Sequence, residues 1–206
     1  MSASPATTRF QHQTYMIRRQ FFKIFGAAFR IYDPSDQVVF YSRQKAFRLK
    51  EDIRIYADET SAEEVLIIQA RSWFDFAAAY DVVDPTTGEK VGALKRKGFK
   101  SMVKDEWVVM DADDRDIGLV QEDNALLALV RRFVPFADFI PQKFLGTVGG
   151  QSVFEFRQHF NPIIQKITLD FGPDISNLLD RRLGLAAGIL LSAIEERQDD
   201  GLSLDI

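Results

Sequence analysis

A run of basic residues is the part of this sequence whose residue types and spacing best suit it to bind a ligand. Ammonium and guanidinium groups hold phosphates through charge-assisted hydrogen bonds, and an aromatic ring beside them can enter a membrane interface. The run surrounds Gly98 and Phe99. The candidate lipid- or phosphate-binding residues are Lys95, Arg96, Lys97, Lys100, Lys104 and, upstream, Arg71. The alternative interpretation is a solvated strand end without a ligand.

Other kinds of reactive site lack the residues that they need. The chain has no cysteine, which excludes disulfides, thiolate nucleophiles and cysteine-ligated metals. His12 and His159 are the only histidines, too few for a histidine-rich metal site. The acidic segment 111–116 fails as a calcium loop, because Arg115 and Asp116 stand where the loop needs an oxygen ligand and a glycine. We therefore expect no catalytic residues, no metal, no cofactor and no enzymatic activity.

The composition indicates a chain that folds around a large apolar core. Hydrophobic residues make up 46% of the 206 residues, and 18 residues are Phe. The net charge of −4 gives no reason to expect nucleic acid as a partner. The small, polar N-terminus has no signal-peptide pattern. We expect a cytoplasmic protein that can also attach peripherally to a membrane, with anionic lipid or another protein as its partner.

Alternation of apolar and polar residues predicts strands through most of the chain. Residues 47–50, 53–55 and 167–171 alternate as strands with one buried face do. The segments 31–38, 82–91 and 109–117 each contain a strand, an aspartate, turn residues and a second strand. An aspartate at the start of a turn accepts backbone N–H bonds, so these segments are predicted hairpins. About a dozen short strands in this arrangement favour an antiparallel sheet.

A C-terminal helix is predicted over about residues 175–198. Its segment 183–194 is apolar or small on every face, so a helix there must be surrounded by apolar partners. Twelve helical residues span ~18 Å, whereas a bilayer core of ~30 Å needs about 20. The preferred interpretation is a helix buried in the protein core, and the alternative is a segment that enters a membrane. A second, short helix is predicted over 124–132.

The order of these motifs resembles the tubby C-terminal-like superfamily, and within it the LURP-one-related and phospholipid-scramblase-related proteins. The resemblance covers about residues 15–197 and is carried by the segments 15–22, 29–33, 45–50, 53–56, 80–84 and 91–96, with Gly88, Trp107, Asp111, Ile117 and Gly118. It implies a mostly β fold, an antiparallel barrel of about twelve strands wrapped around the buried C-terminal helix. Tubby members bind phosphoinositides, and scramblase members are tied to lipid movement across membranes. The chain lacks the cysteine-rich segment of the scramblase relatives and a dense carboxylate run before the helix.

The expected organisation is a flexible tail at residues 1–14, one barrel domain at 15–198 with its central helix, and a C-terminal tail at 199–206. The expected function is non-enzymatic binding of anionic phospholipid headgroups, or of another phosphorylated ligand, at a membrane surface. Two alternatives stay open. One is a scramblase-like protein that handles lipids, and the other is a structural protein-interaction domain without a small ligand.

Overall fold

Twelve strands and one helix form the part of the chain that the computed structural model describes, which is residues 8–22, 26–44, 52–71, 79–97, 106–123, 142–159 and 164–194. The strands are β1 (Thr14–Phe22), β2 (Gly26–Tyr32), β3 (Val38–Gln44), β4 (Ile53–Tyr56), β5 (Glu64–Ala70), β6 (Ala79–Asp84), β7 (Glu89–Arg96), β8 (Glu106–Met110), β9 (Asp116–Glu122), β10 (Lys143–Val148), β11 (Gln151–His159) and β12 (Gln165–Asp170). The helix, α1, is Arg181–Ile194. The short helix predicted over 124–132 lies outside the described residues.

The strands form one closed antiparallel barrel. Each strand pairs with its neighbours in sequence, and β1 closes the barrel by pairing with β12, where Ile17 lies opposite Ile167. Consecutive antiparallel strands need only short connections, which agrees with the predicted hairpins. The turns confirm the role of their aspartates. Asp33 accepts from the N–H groups of Ser35 and Gln37 at 2.8 and 3.0 Å, and Asp84 and Asp111 accept in the same way.

The helix fills the barrel. Leu185 and Ile189 are 0% exposed, and the helix joins the inner residues of the strands in one apolar core. Between the helix and β7–β9 lies a gap that has no room for a water molecule. Gly184 and Gly188 allow this close fit, since a Cβ on Gly184 would lie 2.4 Å from the ring of Phe171. The predicted barrel around a buried C-terminal helix is confirmed.

The helix begins later than its predicted start near residue 175. Asp180 is the N-cap, because its carboxylate accepts from the N–H of Arg182 at 2.9 Å. The preceding segment is a turn held by the buried carboxylate of Asp174, which accepts from the N–H groups of Leu178 and Leu179 at 2.8 and 3.2 Å. These bonds satisfy the backbone without a helix, and the sequence signals at 173–176 belong to this turn. The predicted end at 198 lies outside the described residues.

The N-terminal segment is ordered further back than the predicted tail of residues 1–14. The ring centroid of Phe10 lies 4.6 Å from that of Phe40 in β3, and the carbonyl of Gln13 accepts from the N–H of Phe171 at 2.8 Å. Residues 8–13 therefore pack against the barrel end where the helix starts, and residues 1–7 lie outside the described residues. No helix in the described ranges is both long enough and apolar enough to span a bilayer.

Candidate functional site

The basic run begins at the end of β7, where the pleat sends neighbouring side chains to opposite faces of the sheet. Leu94 is buried in the barrel, and Arg96 lies directly opposite Trp107 of β8, which is also part of the core. Directly opposed residues of an antiparallel pair share a face, so Arg96 belongs to the inner face. Lys95 and Lys97 are exposed on the outer face. The structure therefore places the described residues of the run on two different surfaces.

Arg71 is part of a network of ion pairs. Its guanidinium donates to Asp81 at 2.6 Å and also to Asp114, and Lys90 binds the same two carboxylates at 3.2 and 2.6 Å. The hydrogen bond to Asp81 raises the pKa of Arg71, and hydrogen bonds from Lys90 and Arg71 lower the pKa of Asp114. Each of the four groups thus has two partners within the network. The network connects β6, β7 and the turn between β8 and β9.

The lysines of the candidate site differ in whether a carboxylate already occupies the ammonium group that would bind an anion. Lys97 forms an ion pair with Glu106 on the neighbouring strand. Lys95 is exposed, and within the described part of the chain no carboxylate lies at ion-pair distance from its ammonium group. Lys100 and Lys104 lie outside the described residues. Of the residues that the sequence nominated, Lys95 is thus the described cation that can accept a new anion without first losing a partner.

The acidic turn after β8 satisfies its own backbone. Asp111 accepts from the N–H groups of Asp113 and Arg115 at 2.9 and 3.0 Å, and the backbone bond from Arg115 is the main cause that lowers the pKa of Asp111. The arrangement agrees with the predicted charged hairpin tip. Within the described ranges, no three acidic or histidine side chains converge as metal ligands would. The ring of His159 contacts Thr168, with 2.7 Å between Nε2 and Oγ1.

A second cationic surface lies on the outside of five neighbouring strands, and we call it the basic wall. Its cations are Lys166 of β12, Arg18 of β1, Arg30 of β2, Arg43 of β3 and Arg54 of β4. Each cation adjoins in sequence a residue that is 0% exposed on the inner face: Ile167, Ile17, Ile31, Ser42 and Ile55. Asp170 is the only carboxylate in these five strands. Because inward and outward side chains alternate along each strand, the cations of all five strands lie on the same outer surface.

Part of the basic wall forms a continuous row of directly opposed residues. Lys166 lies opposite Arg18, and Arg18 lies opposite Arg30. The row continues from Arg30 to Tyr41 and from Tyr41 to Tyr56, and His159 extends it beyond Lys166. Neighbouring strands lie about 4.8 Å apart, so three cations follow one another at roughly that interval.

Contacts with turns and tyrosines orient two of these arginines. Arg18 pairs with Asp36, and its guanidinium carbon lies 4.0 Å from the ring centroid of Tyr32. Arg30 donates to the two carboxylate oxygens of Glu59 at 2.7 and 3.3 Å. The side-chain hydrogen bond between them raises the pKa of Arg30 and lowers that of Glu59. Both arginine side chains remain about a third exposed, at 32% and 28%.

The remaining cations of the basic wall are exposed to different degrees. Arg54 pairs with Glu64 at 2.6 Å. Lys166 and Arg43, in the part of the chain that the structure describes, have no carboxylate at ion-pair distance. Sequence reasoning missed this surface because its members come from five separate segments. The available signal was the alternation itself, since each cation stands beside an inward-facing residue in a predicted strand.

Comparison with known proteins gives one family. The model of the LURP-one-related family matches residues 38–175, which is more than half of the chain. That stretch runs from β3 to the turn before the helix and includes Lys95 and most of the barrel. None of the curated proteins matches the chain. The match agrees with the twelve-stranded barrel and with the resemblance that the sequence motifs carry. The chain belongs to the LURP-one-related family, which is part of the tubby-like superfamily.

Proposed function

We propose that this protein is a non-enzymatic binding module for anionic phospholipid headgroups, or for another phosphorylated ligand, at a membrane surface. The observation that carries the proposal is the filled interior of the barrel. Leu185 and Ile189 of the helix are 0% exposed inside it, and the gap beside β7–β9 admits no water. In the described part of the barrel the interior is therefore filled, which favours a ligand that binds on the outer surface.

The cations without a carboxylate partner give that outer surface its preference for anions. Lys95, Lys166 and Arg43 have no carboxylate partner among the described residues, in a chain whose net charge is −4. An unpaired surface cation can bind a phosphate without first breaking an ion pair. Lysines and arginines near an anionic leaflet contribute about 1 kcal/mol each to binding, so a few such residues give reversible attachment. This magnitude suits a protein that binds a membrane peripherally.

The test is co-sedimentation with phosphatidylserine-containing vesicles at low and high salt. We expect binding at low salt that weakens as salt rises, because exposed charges are screened over about 8–10 Å at physiological ionic strength. A variant with Lys95, Lys97, Lys100 and Lys104 changed to Ser should bind less if the basic run takes part. Arg115→Ser is the control, since it removes an exposed cation at the opposite end of the same strands. A protein that leaves anionic vesicles unbound at low salt contradicts the proposal.

A further inference from the structure

We propose that the turn before the helix is a docking site for another protein, and that the docked segment carries basic side chains next to apolar ones. The turn is residues 171–180, and we call it the apolar turn after its exposed residues Ile175 and Leu178. This site is independent of the proposed function, because it lies at the end of the barrel where the helix starts and its partner is not a lipid.

Ile175 and Leu178 stand out in this molecule because they are both apolar and exposed. Their exposed fractions are 89% and 42%, and no other large hydrophobic residue within the described ranges is as exposed. They are three positions apart in one turn, so a single partner can contact both. The core takes Phe171 and Leu179 from this turn, and both are buried. Polar residues at positions 175 and 178 would serve the fold equally well, so the apolar pair favours a contact with another molecule.

The apolar turn holds these two side chains on a fixed backbone. The carboxylate of Asp174 is buried and accepts from the N–H groups of Leu178 and Leu179 at 2.8 and 3.2 Å. The guanidinium of Arg181 donates to the carbonyl of Phe171 at 3.4 Å, and its carbon lies 4.5 Å from the ring centroid of the same residue. Because the turn is already ordered, a partner that binds it loses little affinity to ordering the backbone.

The charges around the apolar turn indicate what kind of partner fits. Five further turns close the same end of the barrel: 33–37, 57–63, 85–88, 111–115 and 149–150. Their charged residues are carboxylates apart from Arg115, which is itself paired with Asp111. Asp33 and Asp58 accept hydrogen bonds from donors of their own turns, and neither has an ion pair in the described part of the chain. This end of the barrel therefore attracts lysine and arginine side chains and repels an anionic membrane.

The cations of the proposed lipid site lie at the other end of the barrel, so both partners can bind at the same time. Lys95 and Arg43 are near the ends of β7 and β3, and Lys166 is near the start of β12, the strand that leads to the apolar turn. The helix between the two ends has 14 residues, a length of about 21 Å. One molecule can therefore hold an anionic surface at one end and a basic protein segment at the other.

The experiment titrates the full chain with three short fluorescent peptides, and fluorescence anisotropy gives each Kd. The first peptide has Lys and Leu at helical spacing, the second has Glu in place of Lys, and the third has Ser in place of Leu. Ile175→Ser with Leu178→Ser removes the apolar pair. Lys95→Gln with Lys166→Gln is the control, since it changes two residues at the other end of the barrel. Thermal midpoints check that both variants keep the fold, and sedimentation velocity measures self-association.

We expect the parent to bind the Lys–Leu peptide, and the apolar-turn variant to bind it at least about tenfold more weakly, since two large apolar side chains lose their contacts. The control variant should stay within about twofold, because exposed charges remote from a site contribute little. The Glu–Leu peptide should bind the parent at least about tenfold more weakly than the Lys–Leu peptide, because its charges have the same sign as the surrounding turns. The Lys–Ser peptide should also bind more weakly, since it has no apolar side chains.

A parent that binds the Lys–Leu peptide no better than the other two overturns the proposal, and so does an apolar-turn variant that binds as the parent does. If that variant loses binding to phosphatidylserine-containing vesicles, the turn is a membrane anchor and the proposal is wrong. A dimer of the parent that the variant does not form assigns the turn to a second copy of the chain and also overturns the proposal. If the parent binds the peptide as expected but leaves vesicles unbound, the docking site stands and the proposed function fails.

Discussion

The basic run at residues 95–104 and the basic wall both concentrate positive charge, but the sheet treats them in opposite ways. In the run, consecutive residues of one strand alternate between faces, so Arg96 belongs to the inner face and Lys95 to the outer face. In the wall, cations from different strands share a face and lie directly opposite one another, as Lys166 and Arg18 do. The basic run can be recognised in the sequence, whereas the cations of the basic wall come together only when the strands pair in the barrel.

The comparison shows how to look for binding surfaces in β proteins. Because the side-chain period of a strand is two, a block of like residues in a strand loses half of its members to the other face. A surface instead collects residues from alternate positions of adjacent strands. Carboxylates do not distinguish the two surfaces, because Lys97 and Arg71 are paired and so are the wall residues Arg18, Arg30 and Arg54.

The largest expected effect comes from a substitution that unfolds the barrel and so removes both surfaces together. Leu185→Asp or Ile189→Asp places an unpaired charge at a position that is 0% exposed inside the barrel, which should cost more than about 4 kcal/mol and leave the protein unfolded or insoluble. Soluble yield and the thermal midpoint measure this. Ile175→Asp is the matched control, because Ile175 is 89% exposed and its change should leave both values as they are. Normal soluble yield of Leu185→Asp would contradict the claim that the helix is buried inside the barrel whose strands carry both surfaces.

A smaller effect distinguishes two glycines that lie one turn apart in the helix. A Cβ at Gly184 would lie 2.4 Å from Phe171 Cε1, so Gly184→Ala should destabilise the fold by about 1–3 kcal/mol. At Gly188 the nearest atom is Cδ1 of Ile17 at 3.3 Å, the tip of a flexible side chain next to Arg18. We expect Gly188→Ala to cost less and to leave anion binding intact. Urea unfolding of both variants gives the comparison, and equal costs would show that the fit around the helix is not as described.

An effect of about 1 kcal/mol concerns the inner side of the strand that carries Arg18. Burial raises the pKa of Tyr15 above its ordinary value, and its hydroxyl donates to the carbonyl of Arg9 at 2.9 Å. Because the unfolded tyrosine ionises near pH ~10 and the folded one does not, stability should fall as the pH rises above about 10. Tyr15→Phe should lose about 1 kcal/mol at neutral pH. Its thermal midpoint should then fall less than that of the parent between pH ~9 and ~11, and an identical fall in both proteins would disprove the role of Tyr15.

The smallest effect tests whether ion pairs in the run stabilise the fold. Lys97 is 51% exposed in its pair with Glu106. Exposed pairs contribute about 0–1 kcal/mol, so Lys97→Gln should change the free energy of unfolding by less than about 1 kcal/mol. Chemical denaturation measures it, with Arg54→Gln as the matched control on the wall, since Arg54 is 46% exposed in its pair with Glu64. If Lys97→Gln lowers the free energy of unfolding much more than Arg54→Gln does, the ion pair of the basic run has a structural role that the pair on the basic wall lacks.

The sequence predicts much of the fold because the fold depends on local patterns. Alternation predicts the strands, the aspartates at residues 33, 84 and 111 predict the turns, and the apolar segment 183–194 predicts the helix inside the barrel. The helix start was not predictable in this way, since Asp174 and Asp180 both look like caps and tertiary contacts decide between them. The basic wall was not predictable either, because the register between β12 and β1 places Lys166 beside Arg18 and no local signal encodes that register.

Lysine acetylation followed by mass spectrometry tests the central claim most directly, because it reads both surfaces in one sample. Lys166 reports on the basic wall and Lys95 on the basic run, and neither has a carboxylate partner in the described part of the chain. We expect saturating phosphatidylserine-containing vesicles to slow the acetylation of both lysines, because each is a cation that can hold a headgroup phosphate without first losing a carboxylate partner. Acetylation rates of Lys95 and Lys166 that the vesicles leave unchanged would contradict the account.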